Sequence, residues 1–168
     1  MKKFISVLLV CGSLLYAGTG TEDIDFRNAL SELEQQESDF ETFFAAAKSG
    51  DVDAQMILGE MYLDGIGVEA DHQKAFFWLS KAARNGDAQA QYLLGFMYEN
   101  GLKVASNIKR AIKWYTEAAL QGDILAQYNL AIIYKEGKGE VEKDMKKAFM
   151  WLAQVQESRK KMELVATN

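Results

Sequence analysis

The sequence predicts an all-α chain, a short right-handed superhelix of antiparallel helix pairs. Three observations point there. The same phrase is written three times, as AQMILGEMYLDG from Ala54, AQYLLGFMYENG from Ala90 and AQYNLAIIYKEG from Ala126. Its shared apolar residues fall at 54, 58, 61 and 62, which is one face of a helix of about 3.6 residues per turn. The chain of 168 residues contains no proline, the residue that most disrupts a helix interior.

The beginning of the chain follows a different rule. Lys2 and Lys3 precede the uncharged apolar run FISVLLVCGSLLYA, and small residues and the acidic TEDID come next. This is the order of an export signal, with cleavage expected after Ala17 and Gly20 as the alternative. The run falls short of the ~20 residues a membrane span needs. A retained N-terminal anchor is the rival reading. Lipid attachment at Cys11 is a weaker one, because bulky Val10 stands where a small residue is wanted. Removing residues 1–17 takes Lys2 and Lys3 and no acidic side chain, so the formal charge moves from −5 to −7. An acidic chain suits neither nucleic acid nor an anionic membrane surface. Cys11 is the only cysteine, so the mature part has no disulfide and no thiolate metal ligand. The expected destination is the periplasm or the medium, with no stable membrane insertion once the signal is cut.

Self-alignment gives a period of 36 residues. Residues 22–37 carry Ile24, Phe26, Leu30 and Leu33 among charges and read as an N-terminal capping helix. The repeat domain then covers 38–158, as a half unit at 38–51 and units at 52–87, 88–123 and 124–158. In the half unit Phe40 to Ser49 is the second helix of a degraded pair, with Ser38 and Glu41 as a capping box. Asp51, Asp87 and Asp123 are placed to cap each first helix, and Asp71, Asn107 and Asp144 each second helix. Gly65, Gly101 and Gly137 stand where each first helix stops. Gly59, Gly95 and Ala131 leave room for close helix contact, while Tyr62, Trp78 and their copies fill the wider gaps. Val68, Val104 and Val141 turn inward from the connecting loops. Residues 159–168 read as a polar tail in which Met162 and Leu164 fold back weakly.

These units resemble Sel1-like repeats, relatives of the tetratricopeptide repeats. The family pattern A-x-A-Q-x-x-L-G-x-x-Y-x-x-G-x-G-V, then K-A-x-x-W-x-x-K-A-A-x-x-G, is met by AQAQYLLGFMYENGLKV and RAIKWYTEAALQG in the second unit. The first unit adds GIGV and KAFFWLSKAARNG. Lys103 replaces a loop glycine, and the third unit has Val155, Gln156 and Arg159 where the closing alanines and glycine belong. The resemblance covers about 38–158 and implies a protein-binding scaffold. An exported, cysteine-rich branch of the family is linked to β-lactams, which raises a β-lactam or cell-wall hydrolase as an alternative; the missing cysteines count against it. A structural or self-assembling module is the third reading.

No catalytic set stands out. His72, the only histidine, follows a helix cap, and no serine sits in a G-x-S-x-G setting. GIG and GKG lack the G-K-[ST] of a phosphate loop. Glu60 and Asp64 make a poor calcium pair. No cofactor or metal is expected. Binding has the better signal. If 54, 58, 61 and 62 face the neighbouring helices, positions 57, 60 and 64 of each first helix face a concave surface. Across the units these are Ile57, Glu60 and Asp64; Leu93, Phe96 and Asn100; Asn129, Ile132 and Glu136. Apolar residues there suit a groove for an unidentified peptide or protein segment, and Asn129, helped by Asn100, could hold its backbone. Ordinary inter-repeat packing, or a terminus lying across the groove, is the competing explanation. Tyr92 and Tyr128 are expected between layers rather than in the groove.

Overall fold

The computed structural model describes residues 22–166. The leader expected at 1–17, its alternative end at Gly20, and Cys11 lie outside the described residues, as do the side chains of Ile24, Phe26 and Leu30. Seven helices and no strand occur among the described residues: α1 Glu22–Ser49, α2 Val52–Asp64, α3 His72–Arg84, α4 Ala88–Asn100, α5 Ile108–Leu120, α6 Ile124–Glu136 and α7 Met145–Ala166. Each helix packs on the next in sequence. Across that order the backbones of α2 and α4, and of α4 and α6, come close, whereas those of α3, α5 and α7 do not approach one another. The first helices of the pairs are therefore the closer layer, on the inner side of the curve.

Local chemistry sets the helix ends. Asp51, Asp87 and Asp123 hold extended backbone and accept from the amides of Ala54, Ala90 and Ala126 at 2.8, 2.6 and 2.7 Å. Asp71, Asn107 and Asp144 likewise accept from Lys74, Arg110 and Lys147. Each such cap is worth about 1 kcal/mol. Gly65, Gly101 and Gly137 close the first helices in the left-handed conformation and donate to the carbonyls of Met61, Met97 and Ile133. Lys103 takes a φ of 58° without being glycine.

Within a pair, a missing side chain sets the approach. A β-carbon on Gly95 would come within 2.5 Å of the Tyr115 ring, and one on Gly59 within 2.6 Å of Leu79. Buried Leu58, Leu94 and Leu130 complete these contacts; full burial of a leucine is worth roughly 1.5–3 kcal/mol. The interior forms two clusters, bridged by Phe76 and Trp114, which pack on both. Val68, Val104 and Val141 do pack inward from the loops.

Between pairs, two devices repeat. The buried amides of Gln55, Gln91 and Gln127 donate to the carbonyls of Ala47, Ala83 and Ala119 in the preceding second helix, at 3.2, 3.1 and 3.0 Å. Phe40 meets Tyr62 edge-on at 5.5 Å, and Phe76 meets Tyr98 in the same way at 5.7 Å. The tyrosines also lie under cations from their own pair: Lys74 over Tyr62, Arg110 over Tyr98 and Lys147 over Tyr134, at 5.1, 5.5 and 4.9 Å.

Two sequence readings need correction at the ends. No boundary falls at residue 38, because α1 runs unbroken through the expected capping helix and half unit. Ser38 and Glu41 do not form a capping box there. The Ser38 carbonyl accepts from Thr42 Oγ1, and Asp39 accepts from Gln35 Nε2, both mid-helix contacts. Without proline or glycine between 22 and 49, nothing stops the helix. Leu33 on its first half is exposed. The tail expected from 159 is likewise helical, as α7 continues to Ala166, and Met162 stays exposed rather than folding back.

The glutamine latch yields a prediction. Gln91 Oε1 accepts from Gln121 Nε2 at 2.8 Å, but Gln55 Oε1 is buried without a partner among the described residues. The residue placed like Gln121 one unit earlier is Asn85, one methylene shorter, whose amide turns to the Lys81 carbonyl. Asn85→Gln is expected to satisfy Gln55 and raise stability by about 1 kcal/mol, read from the urea midpoint; an unchanged or lower midpoint would contradict this.

Candidate functional site

The inner surface is built by α2, α4 and α6. The candidate residues divide on it by position. Asp64, Asn100 and Glu136 are exposed. Phe96 is 37% exposed, and Glu60 and Ile132 are half-buried. Ile57, Leu93 and Asn129 are half-buried as well, and Leu93 packs on the interior. The structure thus brings 64, 96, 100 and 136 to the open side, leaves 57, 60 and 132 half-buried, and turns 93 and 129 toward the repeat interior.

One pair fixes how adjacent first helices face each other. Gln89 Nε2 donates to Glu60 Oε1 at 3.0 Å. One repeat later the same two positions hold Leu125 and Phe96, so register sets these two apolar side chains side by side. Leu125 is 55% exposed and Tyr128 50%. With Ile132 they form one stripe of α6, which Phe96 extends onto α4.

Sequence reasoning missed Leu125 and Tyr128. Tyr92 does lie between layers, its ring 5.8 Å from that of Tyr115. Tyr128, at the same place in the last unit, does not, because among the described residues no later first helix covers it. The signal was present: Tyr128 belongs to the last of the repeats written in this sequence.

A polar network ties α4 to α5 and to the loop after α6. Glu99 accepts from Tyr115 Oη at 2.6 Å and from Lys138 Nζ at 2.7 Å, with its own side chain only 12% exposed. Burial first, then the bond to Glu99 and its charge, push Tyr115 above the tyrosine range. Burial, then Asp123 and Glu99, raise Tyr92 as well. Asn129 stands beside both hydroxyls, where its amide opposes these shifts. This amide is engaged inside the repeat interface, and that of Asn100 is spent on the Phe96 carbonyl at 2.9 Å. Neither is the free clamp that the sequence suggested. A tyrosine held neutral is a donor, the opposite of an activated nucleophile or base. Glu60 and Asp64 do not gather a third ligand, and no group of three or more metal-ligating side chains occurs among the described residues. None of the described helices is long and apolar enough to cross a membrane.

The repeat seen in this geometry matches the Sel1 repeat at residues 52–87, 88–123 and 124–154. The chain belongs to the Sel1 repeat family. Sel1 repeats generally mediate protein–protein interactions. Among solved structures, a protective antigen of uropathogenic Escherichia coli with an SLR fold is 34% identical, with a TM-score of 0.70 over 73% of this chain and 26% of its own length. A Sel1 repeat protein from Oxalobacter formigenes is 30% identical, with a TM-score of 0.70 over 73% of this chain and 50% of its own. The chain thus spans half or less of these longer Sel1 proteins. No curated protein sequence is similar enough to count as a match.

The Tyr115 network gives a pH prediction. An ordinary tyrosine titrates near pH 10. With the folded value above the unfolded one, the stability from the neutral hydroxyl is full below about pH 10 and lost as pH rises further. Tyr115→Phe is expected to cost about 1 kcal/mol near neutrality and to flatten the fall in Tm above about pH 10. Equal slopes in the two proteins would contradict it.

Proposed function

We propose that this Sel1 repeat protein is an exported interaction module that holds a peptide or protein segment along the inner faces of α2, α4 and α6. The observation carrying this reading is the exposed apolar stripe of Phe96, Leu125, Tyr128 and Ile132. A solvated helix face gains nothing from such residues, whereas an interface core of aromatic and aliphatic anchors gains most of its affinity from them. Exposed Asp53 and Asp64 on α2 flank the stripe at one end. They favour a segment with apolar anchors followed by a basic residue. Export rests on the N-terminal leader pattern of the sequence.

A displayed peptide library selected on the whole chain provides ligands for the test. Phe96→Asp is expected to weaken the selected peptides about tenfold or more, equal to roughly 1.4 kcal/mol or more. Phe77→Asp, on the outer face of α3, should leave them unchanged. Equal affinities for Phe96→Asp and the unaltered chain would overturn the groove.

A further inference from the structure

The second helices carry a stripe that repeats along with the units. In α1 it is Gln36, Phe40, Phe44 and Ala47; in α3, His72, Phe76, Ser80 and Ala83; in α5, Ile108, Ile112, Thr116 and Ala119. In each the first three are half-buried and the alanine is buried. The contacts say why. The phenylalanine at the second place meets the tyrosine of the next unit (Phe40 with Tyr62, Phe76 with Tyr98). The alanine carbonyl at the fourth place takes the next unit's glutamine amide. The first place lies against the next loop, where a β-carbon on Gly139 would come 2.8 Å from Ile108.

In α7 the same places hold Met145, Phe149, Ala153 and Gln156, and all four are exposed, Phe149 at 63% and Met145 at 48%. This is the stacking surface of a repeat with no following repeat on it among the described residues.

We propose that this end of α7 docks the first helix of another Sel1-type hairpin carried by a separate polypeptide, a site apart from the inner groove. Continuity with the two full inter-unit interfaces specifies the occupant. It is a helix reading A-Q-x-x-x-x-x-x-Y followed by a glycine loop. Its tyrosine meets Phe149 edge-on, its glutamine donates to the main-chain carbonyl of Gln156, and its loop glycine lies against Met145. A second copy of this chain is a poor occupant, because its own first helix α2 is already seated on α1. Two features temper the fit, and the first is that α7 continues to Ala166, whereas α1, α3 and α5 end one or two residues beyond the stripe. The second is Gln156, which stands where the other three stripes bury alanine, so its side chain must swing aside before the partner's helix can seat. The contact is accordingly reversible.

The test uses the full chain, isotopically labelled, and a hydrocarbon-stapled helical peptide with the sequence of residues 122–139, the staple placed on the face that carries Leu125 and Asn129. Stapling is needed because a helix this short is marginal alone. Saturable resonance shifts at Met145, Phe149, Ala153 and Gln156 are expected. Phe149→Ser should weaken binding about tenfold, and Gln156→Ala should tighten it. No shifts at millimolar peptide would overturn the proposal. So would affinity indifferent to Phe149→Ser, shifts centred on Ile108 and Ile112 from displacement of α6, or concentration-dependent shifts of the stripe without peptide, which would make a second copy the occupant.

Discussion

Everything in this molecule depends on one helix being unable to hide its apolar face alone. The first helix of each pair is apolar on nearly every side that is not solvent-facing, and its own hairpin partner covers only part of it. The preceding second helix covers the rest. The alanine there is small enough for backbone approach, so a glutamine can reach past it to the main-chain carbonyl. The buried amide costs more to strand than to bond. It therefore fixes the register of one unit on the next, while the phenylalanine–tyrosine contact supplies area.

Function is what this stacking leaves over. Using one flank of each first helix for its hairpin partner and another for the preceding unit exposes the third, on the inner side of the curve. The stacking also makes the last unit unlike the others. Tyr128 on α6 and Phe149 on α7 occupy places that are half-buried in earlier units, and among the described residues no later helix covers either. Besides the isolated Phe77, the exposed aromatic side chains among the described residues fall into two places: a stripe along the inner layer and the open stacking face of α7.

Much of the architecture was legible because it was written more than once. A cap aspartate seen at 51, 87 and 123, or a stop glycine at 65, 101 and 137, needs no coordinates to interpret. Gly95 and Gly59 announced close approach, and the structure puts Tyr115 and Leu79 there. Features occurring once were read less well. Ser38 with Glu41 looks like a helix start, but local capping signals yield when the residues on both sides favour a continuous helix. Asn129 looked like a free clamp because periodicity gives a face and not a depth; the structure sets it beside Tyr92 and Tyr115. The glutamines that latch the units were visible in every AQ, yet their role depends on a carbonyl eight residues back, across a turn, which no pattern of apolar residues reveals.

The most direct measurement of the central claim is native-state amide exchange on Gln91→Met, which keeps the volume and removes the latch. If inter-unit bonding holds the array together, protection should fall by about 1–3 kcal/mol in α3 and α4 together, the two sides of the lost bond. Loss confined to the first turn of α4, with α3 unchanged, would show that each pair stands by itself and would contradict the account.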